Sequence, residues 1–328
     1  MVDTTPISIK VIGKLYGVNG RLLSQQYKNK TSDFKDWKNR NHAKEYLVYP
    51  KNISKFLSID ETAFSNGELY TVVTSKKAKG KKGTIVAMIK GTKAADVIKY
   101  LLSIPKNLRD KVREITLDMA SAMINICNAV FPKAKQVTDR FHVQKLVNDA
   151  VQELRIKHRW KVLDAENKAI EQAKIKGTIY KSATLINSDT SKQLLARSRY
   201  ILFKHFSKWT EKQKLRAQLL FEKYPDIHKA YKLSMELFEI YQYTKVKGIA
   251  YTKLAQWYEQ IENAGFKSFN SVKRTIQQHY RSILNYFENR SSNASAESFN
   301  AKIKAFRSQF RGVRDINFFL FRIEKLFA

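Results

Sequence analysis

The chain has 328 residues, 43% hydrophobic and 12% aromatic, which is apolar material for more than one buried core and excludes wholesale disorder. Its 61 lysines and arginines against 29 acids leave a net charge of +32, so a polyanion is the expected partner; a ribosome-like or structural nucleic-acid binder is the plain alternative to an enzyme. A single cysteine, Cys127, excludes disulfides and cysteine-built zinc sites, and no apolar run approaches the roughly 18–20 residues of a membrane span.

Residues 7–28 offer two short helical patterns, Ile7 to Tyr16 and Arg21 to Lys28, around Gly17-Val-Asn-Gly20. They fit a helix-turn-helix with Arg21 on the groove-entering helix, and equally a helical hairpin packed on the next domain. Residues 29–52 are polar and basic, with Trp37, Tyr46 and Pro50, and read as a linker. Residues 1–52 are therefore expected to form a short DNA-binding region and linker.

Strand and helix signals alternate from 55 to 140. Phe56-Leu-Ser-Ile-Asp60 is a short strand ending on a carboxylate, with Glu61 read as a solvated charge. The runs Glu68–Thr74 and Gly83–Ile89 are rich in β-formers and make an antiparallel meander with it. The basic tip between them carries Lys76, Lys77, Lys79, Lys81 and Lys82, a soluble turn or a weak DNA contact. Ala94, Val97, Ile98, Leu101 and Leu102 follow helical spacing between Thr92 and Pro105. A fourth strand, Arg113 to Met119, ends at Asp118; residues 121–131 form an apolar helix; a fifth strand, Ala134 to Thr138, ends in Asp139-Arg140-Phe-His142. The order β-β-β-α-β-α-β-α is that of an α/β, ribonuclease-H-like fold. In such a fold strands one and four are neighbours, which would bring Asp60 and Asp118 together.

Beyond 141 the patterns are helical. Residues 53–154 are read as the first part of a catalytic core, 155–285 as an all-helical insertion with Trp160, Trp209 and Trp257 on apolar faces, and 286–328 as the returning core. In the last long helix Phe299, Ile303, Phe306 and Phe310 form one stripe, and Glu297 lies beside Ala294, Ala301 and Ala305. The alanine face is expected to lie against the sheet edge, the phenylalanine stripe elsewhere, on the insertion or on Phe318, Phe319 and Phe321. Lys302, Lys304, Arg307, Arg311 and Arg314 put cations beside the acid.

Three acids on two strand ends and one helix suit metal-dependent phosphodiester chemistry. Such chemistry needs an activated water and charge neutralisation on an anionic phosphate. Two Mg²⁺ ions about 3.5–4 Å apart supply both through carboxylate ligands. Asp60 would bridge the ions; Asp118 and Glu297 would each complete one. Mn²⁺ can substitute for Mg²⁺.

The set Ser58-Ile-Asp60-Glu, Thr116-Leu-Asp118-Met, Asp139-Arg-Phe-His142-Val and Ser292-Asn293-Ala-Ser-Ala-Glu297-Ser-Phe-Asn300-Ala-Lys302-Ile-Lys304, with Phe310-Arg-Gly312 and the closing Phe-rich segment, resembles bacterial insertion-sequence transposases of the DDE type, in particular their ISL-three-like branch. The resemblance covers 53–328. It implies Asp60, Asp118 and Glu297 as catalytic and metal-binding triad, end cleavage releasing a 3′-hydroxyl, and joining of that hydroxyl to target DNA. It also implies Asp139, Arg140, His142, Asn293, Asn300, Lys302, Lys304, Arg307 and Arg311 as neighbours of the site or DNA contacts. The partners implied are double-stranded element ends and target DNA, a homodimer or larger complex, and a bacterial, cytoplasmic, nucleoid-associated location. Longer relatives carry a fuller front, so end recognition here is expected to use the insertion or a separately encoded DNA-binding partner. A decayed transposase that only binds DNA and a ribonuclease-H-like nuclease that cuts without joining are the competing readings.

Overall fold

The structure, a computed structural model, describes residues 1–64, 67–310 and 315–328; Arg311, Gly312 and Arg314 lie outside the described residues. The described chain divides into two compact units, 1–139 with 290–328, and 140–289.

The first unit opens with α1 (Ile9–Leu15), capped by Ser8, and α2 (Gly20–Gln26), capped by Asn19. The two helices cross so closely that a Cβ on Gly13 would stand 2.4 Å from the Gly20 Cα, which is why both positions are glycine. Ile9 and Tyr27 are buried with Phe34, Trp37, Ala43 and Leu47 in the core of this unit. Residues 29–52 are therefore no linker. Apolar burial overrides their polar composition, and they contribute β1 (Tyr46–Val48) to the sheet edge.

β2 (Phe56–Ala63), β3 (Leu69–Ser75) and β4 (Ile85–Lys90) form the antiparallel meander; β5 (Glu114–Leu117) and β6 (Lys135–Thr138) run parallel to β2. The sheet order is β1-β4-β3-β2-β5-β6, a ribonuclease-H-like core with β2 central and β5 beside it. β2 does not end at Asp60 but continues three residues further, because β3 pairs with it to Ala63 while its described pairing with β5 stops at Ser58–Thr116. Asp60 thus sits where a long strand outruns its shorter neighbour.

α3 (Ala94–Leu101), α4 (Lys106–Arg109) and α5 (Ser121–Val130) form the connections between β4, β5 and β6. The N-cap of α3 is Lys93, without a side-chain bond, rather than Thr92. Val97, Leu101, Met123, Ile126, Cys127 and Val130 bury one sheet face with Leu57, Ile59, Val73, Ile115 and Leu117. The period of two puts Ser58, Asp60, Thr116 and Asp118 on the opposite face.

In the second unit α6 (Arg140–Ile175), α7 (Ser191–Arg197), α8 (Glu211–Lys223), α9 (Pro225–Tyr243), α10 (Lys247–Ala264), α11 (Lys267–Gln278) and α12 (Tyr280–Asn289) follow one another. Capping boxes pin two of the starts: Thr190 with Gln193, and Thr210 with Gln213. Trp257 is fully buried and donates its indole N–H to the Leu233 carbonyl at 2.8 Å, whereas Trp160 is 62% exposed and carries no core.

α13 (Ala294–Ser308) and α14 (Ile316–Phe327) return to the first unit. Here the expected orientation is reversed. Phe299, Ile303 and Phe306 pack on Tyr70, Val72, Ile85 and Met88 of the sheet and on the phenylalanines of α14, while Ala294, Ala301 and Ala305 face solvent. A stripe of large side chains gains far more from burial, at roughly 25 cal/mol per Å², than a row of methyl groups does. The stripe that looked peripheral is the one that docks the helix.

Candidate active site

Three strand ends converge by register. Ser58 pairs with Thr116 between β2 and β5, and Leu117 with Thr138 between β5 and β6, so Asp60, Asp118 and Asp139 follow at one end of adjacent strands. Each carboxylate is held by a donor. Asp60 Oδ1 accepts from the Glu61 N–H at 2.9 Å, and its Oδ2 from the Asn300 side-chain amide at 2.8 Å. Asp118 Oδ1 accepts from the Ala120 N–H at 2.9 Å, just ahead of α5. Asp139, only 1% exposed, accepts at Oδ1 from the Asn293 N–H at 3.0 Å. The helix that carries Glu297 is thereby fixed to the sheet at two points about two turns apart, Asn293 on Asp139 and Asn300 on Asp60.

Glu297 lies in the first turn of α13, exposed, and one of its carboxylate oxygens is within 4.8 Å of one of Asp139. Among the described residues Asp60, Asp118 and Glu297 do not form a group of three at that spacing. Asp139 is an acid brought close to the helical glutamate, and Asn300 is a residue of the same helix that reaches Asp60. Glu61, exposed, has its carboxyl held above the usual range, first by partial burial and then by the charges of Asp118 and Asp60. Expected to be merely solvated, it belongs to the electrostatics of the site.

The cations sort differently from expectation. Arg307 is buried and makes a two-pronged pair with Glu68, at 3.2 and 3.0 Å, under the Phe319 ring, so its guanidinium is committed to the fold. Lys302 donates to the Gly80 carbonyl at 3.0 Å and ties α13 to the β3–β4 turn. Lys304, Arg21, Lys77, Lys79, Lys81 and Lys82 are exposed. Lys76 is no part of a solvated tip: its ammonium donates to the Thr116 hydroxyl. In the second unit His142 and Arg140 occupy the first turn of α6, where Arg140 donates to the Tyr286 hydroxyl at 3.3 Å.

The donors at this sheet end are hard oxygens of the kind Mg²⁺ and Mn²⁺ take. Asp139 Oδ2 and both amide atoms of Asn293 are buried without a hydrogen-bond partner among the described residues, an uncompensated polarity that an ion or its waters would satisfy. The residues present therefore fit the group that the fold implies.

A family model described as a transposase, for ISL3-type DDE proteins, matches residues 57–323. The transposase for insertion sequence element IS1001 of Bordetella parapertussis is 21% identical over 277 residues, 83% of this chain and 61% of that protein. The chain spans about three fifths of the length of that curated relative. Among solved structures, the Drosophila P element transposase strand transfer complex aligns over 97% of this chain and 90% of that one, with 13% identity and a TM-score of 0.38. With the match running from β2 to α14, this chain belongs to the ISL3 family of DDE transposases.

Proposed function

We propose that the chain cleaves DNA at the ends of an insertion sequence and joins the freed strand to target DNA, using Asp60, Asp118 and Glu297 with two divalent ions. The observation that carries this reading is the attachment of α13, the helix that carries Glu297, to the strand ends, with Asn300 on Asp60 and Asn293 on Asp139. Divalent ions, when bound, supply an activated water and neutralise the non-bridging phosphate oxygens.

The chain's own groups do the rest. Asn300 and the Glu61 N–H fix both oxygens of Asp60, and the Ala120 N–H fixes one of Asp118, so neither carboxylate needs to reorganise on binding ions. In the first step a water oxygen attacks phosphorus, its proton passes to solvent, and the 3′-oxygen leaves and is protonated to a 3′-hydroxyl. In the second step that hydroxyl attacks a target phosphodiester, and the target's own 3′-oxygen leaves. The exposed lysines 77, 79, 81, 82 and 304, with Arg21, are the proposed phosphate contacts. A homodimer on two ends, with a separately encoded partner for end recognition, completes the proposal.

The test is a purified reaction on labelled duplexes carrying candidate element ends. Asp60→Asn, Asp118→Asn and Glu297→Gln are expected to keep duplex affinity and to lose Mg²⁺-dependent nicking by about 10³-fold or more. Nicking that survives Asp60→Asn ends the enzymatic reading. Nicks without joined product mark a nuclease.

A further inference from the structure

Lys76 leaves the sheet just past β3 and comes back over it. Thr74, two residues earlier, pairs with Ser58 on β2, and Ser58 pairs in turn with Thr116 on β5. The side chain therefore reaches across β2, on the face that carries Asp60 and Asp118, to place its ammonium on the Thr116 hydroxyl. Thr116 stands two residues before Asp118 and its partner Ser58 two before Asp60, so the ammonium is bonded on the sheet face that carries both strand acids. Burial pulls the Lys76 pKa down, while Glu114 and then Asp139 oppose that and favour the charge. Thr116, Ser58, Glu114 and Asp139 are all buried, so this is a desolvated polar floor and not a surface contact.

We propose that Lys76 is a positioning residue of the acid site, a built-in counter-cation that locks Thr116 and sets both the stance of the strand-end carboxylates and the pull of the site on divalent ions. The inference rests on the proposed reaction but makes a separate statement about one residue. A fixed positive charge that interacts with Glu114 and Asp139 on the face of the strand acids subtracts from the attraction of that face for a second cation, and its hydrogen bond immobilises the strand that leads to Asp118. The site trades metal affinity for geometry. A lysine present only to neutralise Glu114 would influence stability and nothing else.

The experiment uses the full chain with three substitutions: Lys76→Met, which keeps the stem and removes the charge; Lys76→Arg, which keeps the charge; and Lys106→Met, an exposed lysine of α4 outside the proposed phosphate contacts. Mn²⁺ affinity is measured by calorimetry without DNA, and nicking is measured at saturating Mg²⁺. Lys76→Met is expected to bind Mn²⁺ about threefold to tenfold more tightly and to nick at least about 30-fold more slowly. Lys76→Arg should return the affinity to within about twofold of the parent and recover part of the rate, and Lys106→Met should alter neither. Unchanged or weakened Mn²⁺ binding in Lys76→Met, or a parental nicking rate, overturns the assignment. If Lys76→Met does not fold, Thr116→Val replaces it: the charge stays but the anchor is lost, so nicking should fall with Mn²⁺ affinity within about twofold of the parent, and full-speed nicking overturns the assignment. A parent chain that binds Mn²⁺ and nicks while Lys76→Met matches it sinks this inference alone. A parent chain that does neither sinks the proposed function with it.

Discussion

Asn300 donates its side-chain N–H to Asp60 across 240 residues of sequence, at 2.8 Å. The bond ties α13 directly to the central strand β2, and it comes one helical turn after Glu297. Removing it frees the Asp60 carboxylate to rotate. Asn300→Ala is expected to reduce metal-dependent nicking about 10- to 100-fold with folding retained, the size typical of partners that orient metal ligands. Near-parental nicking by Asn300→Ala would show that Asp60 is held well enough by the Glu61 N–H.

The Arg307–Glu68 pair is buried on both sides, with side chains 6% and 12% exposed. Leaving either charge alone in that setting costs about 3–5 kcal/mol. Arg307→Met and Glu68→Gln should each lower the denaturant midpoint clearly, and the double variant Arg307→Met with Glu68→Leu should recover most of the loss. If Arg307 served DNA instead, Arg307→Met would weaken duplex binding and leave the midpoint where it was.

Asp189 in the second unit is fully buried between Arg216, at 2.9 Å, and Arg197. Burial raises its pKa, but the hydrogen bonds from Arg216 and Arg197 outweigh it, and the carboxyl ends below its ordinary value of 3.8. A depressed folded pKa means stability that is present above the ordinary value and lost as the pH falls through the folded one. Asp189→Asn should therefore cost about 1–3 kcal/mol at neutral pH, discounted for the half-exposed Arg197, with the gap to the parent closing in acid below about pH 4. Urea melts at pH 7, 5 and 3 check it; a gap that widens toward acid contradicts the sign.

Cys127 lies on the buried side of α5, and burial, aided by the Asp118 charge, pushes its thiol up to about 12. The thiol is then neutral and shielded at physiological pH, and a thiol-specific reagent should modify it only at the rate at which α5 opens from the sheet. Stoichiometric labelling within minutes in native buffer would mean that this face of the sheet is loosely covered.

The strand-end acids were legible because period-two alternation and the parallel neighbour rule are local or topological: Asp60 and Asp118 follow from them without a single side-chain contact. What failed was any choice resting on partners distant in sequence. Trp37 looked like linker because its partner, Glu324, which accepts its indole N–H at 2.8 Å, stands 287 residues away. Arg307 looked like a DNA contact because nothing near it in sequence announces Glu68. Lys76 reads in sequence, with its neighbours, as a soluble turn or a weak DNA contact, although the strand register already carries it toward Thr116. On α13 two faces competed, and total buried area decided in favour of the phenylalanines.

Residues 140–289, the whole second unit, are synthesised between β6 and α13. At about 5–20 residues per second the ribosome needs roughly 10–30 s to make those 150 residues. Throughout that interval the emerging sheet has Tyr70, Val72, Ile85 and Met88 bare, because the phenylalanines that cover them have not yet been translated. A growing chain therefore holds its first two acids long before its third, with a sticky apolar face beside them. The order in which the gene is read leaves that face uncovered until translation reaches α13 and α14.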